Sequence, residues 1–214
     1  MLEPTASLMG KTEFIFVRHA ESVANAQSLE ASAQIADPPL TACGLQQAAD
    51  LANSIAPREI KALYTSDTER ARSTAKPIKL AYGLEAVELS DIDEWNLGKG
   101  ASVDQERFTK MLNRWCDGDL DASLEGAPKS ETLRELIDRV IPAYQSIFEK
   151  HRNEGGAVVI IGHGGAISWT MPTFARNVSM RFAVENYLGN CRTVTILENA
   201  GAPQVVRWMG KAPP

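Results

Sequence analysis

The sequence predicts an α/β fold: a three-layer α/β/α sandwich around a mostly parallel sheet with an antiparallel edge strand. Three observations carry this. Residues 14–17 (Phe-Ile-Phe-Val) and 157–161 (Ala-Val-Val-Ile-Ile) are short, unbroken apolar runs, the pattern of strands covered by helices on both faces. Between them lie segments with apolar residues at helical spacing, clearest over 131–150, where Leu133, Leu136, Ile137, Val140, Tyr144 and Ile147 follow the 3.6 period. Residues 192–197 and 204–209 alternate around a turn at 199–203, which supplies antiparallel pairing. With 214 residues and 44% hydrophobic content, the chain can bury one substantial core. One domain over 12–210 is expected, behind a loosely held tail at 1–11.

Composition excludes several function classes. A net charge of −5 and a pI of 5.3 lack the basic footprint that nucleic-acid and membrane-surface partners require, so any anion site must be local. Cys43, Cys116 and Cys191 are odd in number and widely spaced, which argues against a disulfide framework or a zinc site and fits a reducing cytoplasm. Residues 1–11 lack the basic start and apolar core of a signal peptide, and no apolar run approaches the roughly 18 residues of a membrane span.

Taken in order, the run at 14–17 delivers Arg18 and His19 to a strand end, where ligands gather in open α/β sheets. By themselves these two residues are equally well read as a structural pair closing a strand. After the connection 21–37 and two prolines, Thr41 is the expected N-cap of a helix reaching about residue 55. Residues 62–65 form the next strand and lead into Ser66-Asp-Thr-Glu69, the spacing of a capping box. That box places Arg70 in a first helical turn, where amide groups and the helix dipole favour an anion. Pro77 should kink or loosen this helix and Gly83 end it; 84–89 is a candidate edge strand, and Asp91 and Asp93 read as solvated loop acids. A helix over 104–116 carries Phe108, Met111, Leu112 and Trp115, followed by a loop with Asp117, Asp119, Asp121 and Glu125. Ser130 is the expected cap of the 131–150 helix, with Glu131 on its dipole and Pro142 as a kink. The run at 157–161 delivers Gly162-His163-Gly164-Gly165, whose glycines let backbone approach a ligand closely. His151, the third histidine, reads as solvated at a charged helix end. A helix over 166–175 should bend at Pro172.

Arg18-His-Ala-Glu-Ser22-x-x-Asn25 resembles the Arg-His-Gly-Glu-Ser-x-x-Asn signature of the histidine phosphatase superfamily, the phosphoglycerate mutase-like fold, with Ala20 replacing the usual glycine. Ser66, Arg70, Ala71 and Thr74 resemble its second arginine motif, and Gly162-His163-Gly164-Gly165 its second histidine motif. Glu94-x-x-x-Gly98-x-Gly100 is similar to the segment that supplies a proton donor, although Lys99 stands where the family is more aromatic and acidic. Leu40-Thr41-x-x-Gly44 and Glu131-Thr132 match further family segments.

The resemblance implies a metal-independent, cofactor-free phosphatase acting on a small phosphorylated metabolite and releasing inorganic phosphate. In that reading His19 attacks phosphorus to form a phosphohistidine, and Glu94 protonates the leaving oxygen and later activates water. Arg18 and Arg70 clamp the phosphoryl oxygens, joined by His163, Asn25 and Gly164. Two arginines suit the task, because their planar forks match phosphate and stay charged at any working pH. Monoester hydrolysis needs up to about 10²¹-fold acceleration, beyond what one general base supplies. A neutral His19 and a protonated Glu94 together predict a bell-shaped pH profile with a mildly acidic to neutral optimum. Residues 95–130 are expected to cover the site. Ser22, Trp95, Phe108, Trp115 and Glu131 are candidate pocket residues, although the three aromatics read equally as core and Glu131 as a helix-dipole partner. The acidic loop speaks against a heavily charged substrate. Three alternatives stay open: a phosphoglycerate mutase, a non-catalytic phospho-ligand module and a zinc hydrolase using His19 and His163. A strand at 204–209, if at the sheet edge, could pair with another subunit.

Overall fold

The computed structural model describes residues 11–26, 37–98 and 104–214. Strands β1 (Glu13–Arg18), β2 (Ile60–Thr65), β3 (Ala86–Glu88), β4 (Ala157–Gly162), β5 (Thr193–Asn199) and β6 (Ala202–Trp208) form one sheet in the order β3-β2-β4-β1-β5-β6. The first four run parallel, β5 is antiparallel to β1, and β6 is antiparallel to β5. The antiparallel strand is therefore β5, one place in from the edge, and β6 closes the sheet. The described helices are α1 (Ala42–Ile55), α2 (Glu69–Tyr82), α3 (Gln105–Cys116), α4 (Leu133–His151), α5 (Gly164–Ala175) and α6 (Met180–Glu185). The sequence pattern did not reveal α6.

The unbroken apolar runs resolve into two faces. Phe14, Phe16, Val158 and Ile160 pack with Leu136, Val140, Tyr144, Ile167 and Phe174 of α4 and α5. Ile15, Val17, Val159 and Ile161 pack with Leu51, Ile55, Ala71 and Ile78 of α1 and α2. A strand with period-two side chains and helices on both sides has no polar face to show, which is why its sequence does not alternate.

Helix ends differ from expectation at two of three places. Thr41 caps α1, accepting from Gly44 N at 2.9 Å. The capping box expected from Ser66 is not formed: Thr68 is the N-cap of α2 without a side-chain bond, and Asp37 instead accepts Glu69 N through both carboxylate oxygens at 2.9 and 2.8 Å. At α4 the cap is Thr132, in a capping box with Glu135, whereas Ser130 Oγ accepts from Leu124 N. Both α2 and α4 continue through Pro77 and Pro142, and Gly83 ends α2 in the left-handed conformation at φ 63°. His151 is not solvated. It is buried, with Nε2 2.8 Å from the Tyr64 hydroxyl and Nδ1 donating to Glu154 at 2.6 Å. Most of the connection at 21–37, Lys99 and Gly100 of the acid segment, and tail residues 1–10 lie outside the described residues.

Candidate active site

The site is built where three parallel strands end at one level. Register pairs Arg18 with Gly162 across β1 and β4, and Thr65 with Ile161 across β2 and β4. The next residue of each strand, His19, His163 and Ser66, therefore enters the same space. Backbone bonds from His19 N to Gly162 O (2.8 Å) and from Ser66 N to Ile161 O (2.9 Å) extend the ladders to these residues. The two imidazole centroids stand 5.2 Å apart.

Partners assign the tautomers. The Ala20 carbonyl lies 2.7 Å from His19 Nδ1 and can only accept, so Nδ1 carries the proton and Nε2 keeps its lone pair. Arg70 Nε donates to that lone pair at 3.2 Å, and Arg70 Nη2 donates to His163 Nδ1 at 3.1 Å. One guanidinium thus bridges both rings. Burial, helped by Arg70 and Arg18 and opposed by the Ala20 bond, lowers the His19 imidazole from 6.5 to about 3. Burial and its neighbours His19, Arg70 and Arg18 hold His163 well below its ordinary value too.

His163 Nε2–H donates to Ser66 Oγ at 2.8 Å, and Ser66 Oγ–H donates to Asp93 Oδ1 at 2.5 Å. Asp93 is thus a partner of the buried chain rather than a solvated loop acid. Burial raises its carboxyl above the usual range, the Ser66 bond opposing and Asp67 adding to the rise.

Glu94 reaches the N-terminus of α5. Its carboxylate accepts from Ala166 N at 2.9 Å, Gly165 N at 3.2 Å and its own neighbour Trp95 N at 2.9 Å. A side chain on Gly165 would prevent this, since a Cβ there would lie 2.7 Å from Glu94 Oε1 and 2.6 Å from the Trp169 ring. The segment bearing Glu94 is held from behind by Arg139 of α4. Arg139 donates to the carbonyls of Asp91 and Asp93 at 3.1 Å and of Glu94 at 3.4 Å, and is gripped by both oxygens of Glu131 at 2.9 Å.

The family model of the histidine phosphatase superfamily (branch 1) matches residues 14–210. The chain belongs to the histidine phosphatase superfamily. It is 31% identical over 166 residues to a metal-independent phosphoserine phosphatase of Arabidopsis thaliana, covering 73% of this chain and 66% of that protein, just under two thirds of its length. A probable phosphoglycerate mutase GpmB of Escherichia coli is 30% identical over 158 residues, 73% of this chain and 72% of that one. Among solved structures, phosphoserine phosphatase from Entamoeba histolytica in complex with 3-phosphoglyceric acid superposes with a TM-score of 0.74 at 20% identity, covering 92% and 96% of the two chains. A likeness at that identity speaks to the fold alone.

In this member of the superfamily, Arg18, His19, Arg70, Glu94 and His163 come together at the strand ends. Arg18 Nη1 donates to Leu188 O at 2.8 Å, its guanidinium carbon lies 5.3 Å from the Tyr187 ring centroid, and its Nε is buried without a partner. Gly164 allows this packing, because a Cβ there would meet the Tyr187 hydroxyl. The Asn25 amide oxygen accepts from Ser22 N, Ser22 Oγ and Asn190 Nδ2. Ser22 is buried in this turn rather than in a pocket. Trp95 and Phe108 line a cavity of about 450 Å³ shared with Arg18 and Glu94, whereas Trp115 is core, donating to Ala122 O. Trp169 and Tyr187 line the same cavity and were not singled out from sequence, since they sit on α5 and beyond α6, far along the chain from Glu94. Three acids of the acidic loop are paired: Asp119 with Arg114 and Asp121 with Arg134, each at 2.6 Å, and Asp117 with Arg181 at 3.4 Å.

Proposed function

We propose that the protein hydrolyses a small phosphate monoester through a phosphohistidine on His19. The observation that carries this reading is the His19 imidazole, its Nδ1–H held by the Ala20 carbonyl and its Nε2 lone pair turned to Arg70. In the first step that lone pair forms a bond to phosphorus, the ester P–O bond breaks, and Glu94 gives its proton to the leaving oxygen. In the second, water attacks phosphorus, the N–P bond breaks, and Glu94 takes the water proton. Arg18, Arg70 and His163 hold the phosphoryl oxygens as charge develops, with the buried Arg18 Nε as an available donor. The Asn25 amide, its oxygen anchored by Ser22 and Asn190, offers its nitrogen, which has no partner among the described residues, as a further donor. Gly164 keeps the start of α5 close to the same oxygens. Because His19 stays neutral down to about pH 3, its protonation does not set an acid limb above pH 5.

No metal or cofactor enters this scheme, and among the described residues no cluster of three His, Cys, Asp or Glu side chains is arranged to hold a metal ion. Three unpaired cysteines support a cytoplasmic setting. The decisive experiment incubates the protein with an aryl phosphate and traps the phosphoenzyme by rapid alkaline quench. A base-stable, acid-labile adduct and a vanadate-sensitive rate that vanish together in His19→Ala are expected; an undiminished rate in that variant sinks the reading. The similarity to the probable mutase GpmB supports a second reading, phosphoryl transfer between two hydroxyls of a bound acid. Free phosphate release measured beside 3-phosphoglycerate interconversion separates the two.

A further inference from the structure

The cavity beside the reacting groups differs in chemistry from what a phosphorylated amino acid or hydroxy acid needs. It touches both Arg18 and Glu94, so whatever bears the ester oxygen must enter it. It is otherwise lined by Trp95, Phe108, Leu112, Trp169 and Tyr187, with Gln105 as an uncharged polar side chain among them. Three of these rings form one mutually packed group: Trp95 to Trp169 at 5.5 Å, Trp95 to Phe108 at 5.9 Å and Phe108 to Trp169 at 6.0 Å. Gly165 ties this wall to the chemistry, since only its missing Cβ allows the Trp169 ring and the Glu94 carboxylate to converge. The oxygen that Glu94 protonates is thus carried by atoms lying against indole faces.

Among the described lining residues, Arg18 is the one cation and Glu94 the one anion, and in the proposed reaction the phosphoryl group takes up the first and the leaving oxygen the second. Arg18 is bound to Leu188 O and stacked by Tyr187, and Glu94 accepts three backbone N–H groups. A carboxylate on the leaving group would be stripped of water with no cation of the lining left to pair with it, whereas an ammonium would meet ring faces that attract it. A second cavity of about 480 Å³ shares Glu94 with the first and is polar, lined also by Asp93, Asn96, Lys129, Glu131 and Arg139. Arg18, His19, Arg70 and His163 do not line it, and its Arg139 and Glu131 are paired with each other.

Resting on the phosphatase reading above, we infer that the substrate is the phosphate monoester of an alcohol that bears no carboxylate and has a flat ring or broad apolar body, seated among Trp95, Phe108 and Trp169. A cavity of about 450 Å³ takes a bicyclic ring, a larger body than serine or glycerate presents.

Primary-alcohol esters keep the leaving oxygens comparable, so the test compares kcat/KM for 2-(2-naphthyl)ethyl phosphate, n-propyl phosphate, O-phosphoserine and 3-phosphoglycerate. The naphthyl ester is expected to exceed O-phosphoserine by at least about 100-fold, and equal or better turnover of O-phosphoserine or 3-phosphoglycerate overturns the inference. In parallel, calorimetry with 2-naphthylmethylphosphonate and methylphosphonate reads the pocket without catalysis. Tighter naphthyl binding with no turnover of any ester would remove the phosphatase reading and keep the pocket preference; equal affinities would remove the preference itself. Phe108→Arg, with Leu112→Arg in reserve should the first not fold, is expected to lower the naphthyl-to-phosphoserine ratio at least about tenfold. An unchanged ratio in a folded variant counts against the seat assigned here.

Discussion

His19 is buried beside two guanidinium groups with no carboxylate touching it, and that environment has a cost that depends on pH. Its folded-state value, about 3, lies below the 6.5 of an open chain. Between those values the unfolded chain binds a proton that the folded one refuses, so stability is full above pH 6.5 and declines as pH falls toward 3. For one proton the slope is about 1.4 kcal/mol per pH unit, and His163 acts in the same direction. His19→Gln should therefore flatten the decline in stability between pH 6.5 and 4, read from urea midpoints; identical slopes in variant and parent would show that His19 is not buried neutral. At this scale the sequence was legible wherever a residue's place follows from its own motif, as for Arg18, His19, Arg70 and His163. It was opaque for Ser66, Asp93 and Asp37, whose partners His163, Ser66 and Glu69 lie 97, 27 and 32 residues away. Ser66 has the spacing of a helix cap, and only the neighbouring strand end at His163 draws it into the site instead.

Among the elements, the strands that end at the site were readable because double-sided burial leaves an unbroken apolar run, and β1 and β4 follow those runs closely. The short α6 was not, since its six residues bury only Ala183 and carry no period. The segment bearing Glu94 has no regular structure beyond the turn Ser90–Ile92, so its shape is borrowed from α4. Arg139 binds three of its carbonyls, while Glu131 holds Arg139, accepts Asn96 N through its carboxylate and accepts Trp95 Nε1 through its carbonyl. Glu131 therefore acts as a positioning residue through Arg139, and the helix-dipole reading of it describes the lesser part of its contacts. If this clamp sets where Glu94 stands, Arg139→Ala should lower kcat by roughly 100-fold for an alkyl phosphate, the scale of a 1 Å displacement. The loss should be much smaller for 4-nitrophenyl phosphate, whose leaving group needs little protonation. Equal losses on both substrates, matched by a lower melting temperature, would assign Arg139 to stability alone.

For the whole molecule, the site is a junction. A phosphate between Arg18, Arg70 and His163 would touch the end of β1, the first turn of α2 and the start of α5, segments drawn from the beginning, middle and later part of the chain. Arg70 is already under tension in this respect: burial pulls its guanidinium below its usual value, with Glu94, Asp37 and Asp93 opposing that pull. A bound dianion supplies the counter-charge that these more distant carboxylates provide only in part. Binding to the folded state alone stabilises it by mass action, about 2.7 kcal/mol at a hundredfold excess over Kd. In a domain of this size each kcal/mol raises Tm by about 2–4 °C, so saturating phosphate or vanadate should raise it by roughly 5–10 °C. The shift should persist after dialysis against a chelator, because side chains alone hold the anion in this arrangement. Arg70→Ala should abolish it, since that change removes the bridge between the two imidazoles as well as a charge. A shift that survives Arg70→Ala, or one that disappears with chelator, would mean that the anion is held elsewhere or through a metal ion, and the junction would lose its place in the mechanism.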